Sequence, residues 1–237
     1  MNDESDHDGL KGPTNYDRLR KDILHGMLAP GERLKLEALK DRYSTSINTL
    51  RESLARLAAQ GLVVAEDQRG FMVKPASLED LLDVISMRLL LESEGIRRAF
   101  AVGDLNWEAS LVAAHYKLAK AEALVIQDPV RHAAMLERYN LEFHQALIGA
   151  AGSSWLLTLW RLMYDQSHRY RMLAFKVGAF PRERSQAEHR ELLEAALARD
   201  AERAVRISVA HAAKGEDLYR ELEDVTVAPA KTIGLSR

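Results

Sequence analysis

Within residues 14–75 the hydrophobic period changes several times. In YDRLRKDILHGML, Tyr16, Leu19, Ile23 and Met27 recur at helical spacing, and the Pro-Gly of APGERL stops the run. A short helix in EALKDRY and a polar turn at STS follow. INTLRESLARLAAQG then sets Leu50, Leu54 and Leu57 on one helical face, with Gly61 as its C-cap. LVVAEDQRGFMVKP reads as strand, tight turn, strand. Helix, helix, turn, helix, hairpin is the order of a winged helix-turn-helix, and on pattern alone another small α+β domain has the same elements.

From Ser77 onward the period is helical throughout, and no strand is predicted. Six helices are expected, at 77–101, 104–126, 129–150, 154–177, 181–198 and 200–220. Ser77 is an N-cap with Asp80 three residues on, Asp128-Pro129 supplies a cap and a first-turn proline, and Pro181 and Asp200 start the last two helices. Short loops between such helices predict an antiparallel bundle. Lys74-Pro75-Ala76 is the junction, too short to be a floppy linker. The expected fold is therefore mainly α: a tail at 1–13, a winged helix-turn-helix at 14–75, an all-helical domain at 76–222 and a second tail at 223–237.

Composition sharpens this in three places. At 47% hydrophobic and 29% charged, the 237 residues suit a globular protein, and no apolar run approaches the ~18–20 residues that span a bilayer. The acidic start, MNDESDHDGLKGP, reads as a disordered tail rather than a signal peptide, which makes the cytoplasm the expected compartment. Without cysteine, disulfides and thiolate chemistry are excluded, and any metal must bind through His, Asp, Glu or Asn. The net charge of −2 hides a division: residues 14–75 hold 11 Lys and Arg against 8 acids. That modestly positive segment is where a phosphate-binding surface is sought.

With Leu50, Leu54 and Leu57 buried, Ile47, Asn48 and Arg51 face away from the core at the start of the third helix. In a helix-turn-helix this end enters the major groove. Arg51 can reach guanine or phosphate, and Asn48 a base edge or phosphate. Arg69, beside Gly70 at the hairpin tip, is placed for a minor-groove or backbone contact. The competing reading is a solvated basic face, and the wing favours DNA.

The phrase TLRESLARLAAQGLV, with the APGERL turn before it, resembles the winged helix of the GntR superfamily of bacterial transcription regulators. The helical remainder resembles the FadR-like branch, with its FCD effector domain, so the likeness covers about residues 14–220. It implies a homodimeric regulator, expected to be a repressor, on a palindromic double-stranded operator. The family's Arg in VREAL is matched by Arg51. Where the family usually has Arg straight after the Ser, this chain has Ser46-Ile47, so that operator contact does not carry over. Ile47 can instead pack on a thymine methyl.

The helical half carries histidines on apolar stripes. His144 shares its face with Asn140, Leu147 and Ile148, His189 lies with Leu192, Leu193 and Ala196, and His211 with Ala204, Ile207 and Ser208. Three inward imidazoles and one oxygen ligand suit Zn, Ni or Mn. Spacing alone leaves core histidines, hydrogen-bonded locally, as the alternative, since His115 also sits on a stripe with Leu111 and Leu118. The family resemblance implies metal binding: many FCD domains use an acid or Asn, a His four later, and single His residues on two subsequent helices. Asn140, His144, His189 and His211 match that pattern, whereas His115, His132 and His168 do not. Asn in place of Asp leaves the site richer in positive charge, which favours an anionic guest.

Arg88 and Glu92 follow the inward line of Leu81, Ile85 and Ile96. A buried Arg needs an acid partner, and Glu92 one turn away supplies one. Alternatively Arg88 clamps a ligand carboxylate, with Arg169 of SHRYR beside it. The resemblance supports the latter, because FCD regulators commonly sense small carboxylic acids. The rival class is a metal-dependent enzyme on a helical bundle. A hydrolase needs a general base, and Glu142 lies off the Asn140–His144 face. Di-iron chemistry needs paired Glu-x-x-His motifs, which the sequence lacks.

Overall fold

The computed structural model describes residues 13–66, 69–176 and 182–226. The expected tails at 1–13 and 223–237, the hairpin tip at 67–68 and the Pro181 helix start lie wholly or mostly outside these residues. The chain divides into two compact units between Pro75 and Ala76.

The first unit runs α1 (Asn15–Leu24), β1 (Arg33–Leu34), α2 (Leu36–Tyr43), α3 (Ile47–Ala59), β2 (Val63–Glu66) and β3 (Gly70–Val73). Thr14 and Asp17 cap α1 reciprocally, and Ser46 accepts from the Thr49 N–H to cap α3. Leu50, Leu54 and Leu57 are fully buried and meet Leu19 and Ile23 of α1, as their spacing requires. The sheet is antiparallel in the order β1-β3-β2.

Three details depart from the sequence reading. Helix α1 ends at Leu24, and Met27 is 62% exposed, because the chain turns at Gly26 with φ +66°. Leu24 and Leu28 take the buried places instead. Strand β1 was not expected, since two residues are too few for a period. It forms because Arg33 and Leu34 pair with Met72 and Phe71, while Val73 N–H donates to Glu32 C=O at 2.9 Å. At the end of α3 the cap is Gln60, and Gly61 follows it at φ +71°.

The second unit holds α4 (Leu78–Val102), α5 (Leu105–Gln127), α6 (Pro129–Leu147), α7 (Ser154–Lys176), α8 (Arg182–Leu197) and α9 (Ala201–Thr226). Ser77, Asp104 and Asp128 cap α4, α5 and α6 through their side chains. Helix α6 ends before Gly149 and Gly152, short of the expected 150, and α9 continues past 220 because RELEDVT contains no breaker. One apolar core joins the helices, from Ile96 and Phe100 through Leu111, Leu118 and Phe143 to Trp160, Leu192 and Ala204. Gly95 lets α4 approach closely: a Cβ there would sit 2.9 Å from Ile148 and 3.3 Å from Leu156. That contact sets the depth at which Glu92 and Arg88, one and two turns earlier, enter the interior.

Candidate functional site

In the first unit, Asn48 and Arg51 are exposed at the start of α3, Ile47 is half-buried, and Arg69 is exposed. Thr49, exposed at the same end, was not singled out from sequence, and its hydroxyl is 2.9 Å from Ser46 Oγ. The support behind this face is polar. Tyr43 Oη donates to Asp22 at 2.6 Å, Arg42 donates to the same carboxylate, and Arg18 donates to Tyr43 C=O. These bonds hold α2 on α1, which fixes α2 as the platform from which α3 departs. Asn15 Nδ2 ties α1 to the turn at Thr45 Oγ1. At the wing, Arg69 N–H closes on Glu66 C=O and Gly70 adopts φ +88°. The face offers donors on a helix N-terminus, as backbone and base readout require.

In the second unit, His144 of α6, His189 of α8 and His211 of α9 come together. Their candidate ligand atoms lie within 4.8 Å of one another, and His189 and His211 have ring centroids 4.7 Å apart. Each Nδ1 is held by a glutamate. Glu92 Oε1 is 3.1 Å from His144, Glu122 Oε1 is 2.6 Å from His189, and Glu188 Oε2 is 2.8 Å from His211. A carboxylate on Nδ1 selects the tautomer that leaves Nε2 with its lone pair, the arrangement that supports a metal-binding imidazole. Burial depresses the pKa of both His144 and His211, so these rings are neutral at pH 7. Burial also works against the charge on Glu92, yet His144, Arg88 and Trp160 outweigh it and hold its pKa at about 2.

The donor set fits a divalent transition metal on a second observation. Asn140 Nδ2 donates to Tyr164 Oη at 2.8 Å, leaving Asn140 Oδ1 buried without a hydrogen bond. His189 Nε2 is buried and unbonded in the same way. Buried acceptors left unpaired cost about 1–3 kcal/mol each, a cost that a cation between them removes. Nitrogens around zinc at ~2.0 Å sit about 3.3 Å apart, so the rings need only small side-chain adjustments.

Next to the cluster lie two arginines. Arg88 Nη1 donates to Ser167 Oγ at 3.2 Å, while its Nε makes no hydrogen bond and stands 3.7 Å from Glu92 Oε2. Arg171, which the sequence reading passed over, is fixed on Glu137 at 2.9–3.1 Å and on Ser167 Oγ at 2.9 Å. Both guanidinium groups face the Tyr164 ring, at 5.7 and 4.6 Å. Arg169 sits elsewhere: it donates to Asp80 at 3.2 Å and lies over the Tyr170 ring, near the start of α4. The expectation of a site richer in positive charge also changes. Glu92, Glu122, Glu137 and Glu188 surround it, so a divalent cation with Arg88 and Arg171 brings these groups to neutrality. Attraction for an anion would therefore rest on directional donors, chiefly Arg88, rather than on net charge.

His115 packs edge-on against Phe143, and His168 is buried 4.0 Å from Glu137. Glu142 is half-buried and paired with Lys117 and Arg138, away from the histidines. The missed residues had a signal in the sequence. Glu122 falls on the Leu118–Ala121–Val125 stripe, and Glu137 lies one turn before Asn140 on the Ala133–Asn140–His144 line.

A winged helix with an exposed recognition helix, followed by an all-helical domain with a buried polar centre, defines a DNA-binding transcription regulator. Residues 14–73 match the model of bacterial regulatory proteins of the gntR family, and residues 83–214 match that of the FCD domain. The chain belongs to the gntR family, with the FadR-like, FCD-bearing architecture. It is 39% identical to the uncharacterized HTH-type transcriptional regulator BphR of Paraburkholderia xenovorans (strain LB400), over 87% of this chain and 84% of that protein. It is 32% identical to the HTH-type transcriptional repressor GlaR of Escherichia coli (strain K12), over 83% and 90%. A putative transcriptional regulator GntR from Rhodococcus sp. RHA1 shares the fold, with a TM-score of 0.70 at 22% identity, over 86% of this chain and 95% of that one. These families and relatives are transcription regulators, not enzymes. No helix among the described residues is long and apolar enough to cross a membrane.

Proposed function

We propose that this chain is a cytoplasmic homodimeric repressor that reads a palindromic operator through residues 14–75 and senses a small carboxylic acid through residues 76–222. In this reading His144, His189 and His211, with Asn140 as the fourth ligand, hold a divalent metal (Zn, Ni or Mn), and Arg88 receives the acid's carboxylate. Bound by these four residues, a metal that takes five or six ligands, such as Mn or Ni, would leave a position open for that guest. Arg169 stays with Asp80 near the start of α4 and takes no part in holding the acid. Ile47, Asn48, Arg51 and Arg69 make the DNA contacts.

The observation that carries this reading is the convergence of three imidazoles, each braced on Nδ1 by its own glutamate, beside an arginine whose Nε lacks a hydrogen bond. Hydrogen-bonded core histidines alone do not explain why unbonded polar atoms of α4, α6 and α8 collect at one place. Dimerisation has its own support. Neighbouring helices α4 and α7 carry exposed apolar pairs, Met87 with Leu90 and Trp155 with Leu159. A single winged helix buries little DNA surface, so tight specific binding calls for two half-sites.

The test is metal analysis of purified protein, then a panel of small acids scored by thermal shift and operator release on wild type, His189→Ala and Arg88→Ala. An acid that releases operator from wild type and from neither variant supports the reading. An acid that acts equally on all three places the pocket elsewhere.

A further inference from the structure

We infer that Glu92 is the coupling residue of the helical domain: one buried carboxylate shared by the histidine cluster and the anion-receiving arginine, so that occupancy of either alters affinity at the other. The inference rests on the metal reading above and adds a mechanism of regulation to it.

Glu92 is 0% exposed, and both its oxygens are engaged. Oε1 faces His144 Nδ1 at 3.1 Å. Oε2 accepts from Trp160 Nε1 at 3.0 Å and lies 3.7 Å from Arg88 Nε. Arg88 is thus left with an ion pair too long for a hydrogen bond, and its Nε proton has no acceptor. The Glu122 brace differs. Glu122 holds His189 at 2.6 Å, yet pairs with no arginine among the described residues.

The sign of the coupling follows from competition for one carboxylate. Ligation at His144 Nε2 makes its Nδ1–H a stronger donor and draws Glu92 toward the histidine. Arg88 then loses part of its counter-charge, and an incoming carboxylate restores it. In reverse, an anion on Arg88 releases Glu92 to brace His144 more firmly. The two bindings reinforce each other, and linkage makes the factor equal in both directions. In the free protein Arg88 stands in the way, because its charge competes with His144 for the same carboxylate.

The experiment uses Zn²⁺ alone as the probe, with affinity read by competition against a chromophoric chelator. It compares wild type with R88M, E92Q, E122Q, R88M/E92Q and R88M/E122Q. E92Q and E122Q should each weaken Zn²⁺ binding by about 10- to 100-fold. R88M should tighten it at least about threefold in the wild-type and E122Q backgrounds, and leave it unchanged in E92Q. Equal tightening in all three backgrounds means simple repulsion through space and overturns the relay, as does no change in wild type. Failure of wild type to bind Zn²⁺ is a separate result, which removes the metal assignment itself. Should E92Q not fold, Trp160 supplies the readout in a W107F/W155F background. Its emission change on Zn²⁺ saturation should differ between the protein with Arg88 intact and its R88M variant, and identical changes overturn the inference.

Discussion

Glu122 Oε1 lies 2.6 Å from His189 Nδ1, a carboxylate and an imidazole from helices α5 and α8 that are 67 residues apart in sequence. The pair is buried, and it points His189 Nε2 into an interior where that atom finds no hydrogen-bond donor. A ring held this firmly by one nitrogen, with the other left bare, is prepared for a ligand that accepts a lone pair.

Metal removal should therefore lower stability. A metal held at 100 times its Kd adds about 2.7 kcal/mol, and about 2–4 °C of Tm per kcal/mol is usual for chains of this size. Thermal melting with Zn²⁺ and with excess chelator should differ by roughly 5–10 °C on that basis. In His189→Ala the difference should vanish. A wild-type curve indifferent to chelator and metal alike defeats the assignment.

At the DNA face, Arg51→Ala should weaken operator binding by about 1–3 kcal/mol if the contact is to a base edge, and lower the salt slope by about one if it is to phosphate. Ile47→Arg should raise affinity for unrelated DNA and steepen the salt dependence, because it adds a phosphate-seeking charge to an apolar position. Titrations of operator and random duplex at two salt concentrations separate the cases. Unchanged operator affinity in Arg51→Ala means that α3 does not face the groove.

Periodicity carried most of the fold because the helices bury one stripe each. Leu50, Leu54 and Leu57 are a face before they are a core, and caps such as Ser77 and Asp128 mark where helices begin. Strand β1 was illegible for the opposite reason: its two residues are extended only because β3 lies beside them. Within the site, Asn140–His144 and Arg88–Glu92 were visible as i, i+4 pairs on single helices. The bracing of His189 by Glu122, and of Arg171 by Glu137, is made across helices and leaves no spacing to read. Arg169 misled because it shares the α7 sequence with Arg171 but points toward Asp80.

The exposed apolar pairs on α4 and α7 yield a prediction about assembly. Leu90 is 64% and Trp155 75% exposed. If they face a second copy, Leu90→Glu places a charge in an apolar interface and should shift a micromolar dimer to monomer, by sedimentation or light scattering. Operator affinity should fall with it, while the thermal response to Zn²⁺ persists, since Leu90 faces away from the histidines. A dimer that survives both Leu90→Glu and Trp155→Glu uses another surface.

Glu137 receives Arg171 through Nε and Nη2 at 2.9–3.1 Å, and its side chain is almost wholly buried. Removing one member strands the other: Glu137→Leu leaves a buried guanidinium and should cost about 3–5 kcal/mol in urea unfolding. Removing both, as Glu137→Leu with Arg171→Leu, should recover most of that loss, because well-packed apolar residues replace a buried ion pair at little net cost. The double variant then separates architecture from sensing. Arg171 stands over the Tyr164 ring and shares Ser167 Oγ with Arg88, while Tyr164 Oη accepts from Asn140. With Arg171 gone, Ser167 and Tyr164, which hold Arg88 and Asn140, lose the guanidinium packed against them. A folded double variant should bind Zn²⁺ and operator but release operator only at raised acid concentration. If its acid response matches wild type, Arg171 and Glu137 serve only the packing of α6 on α7.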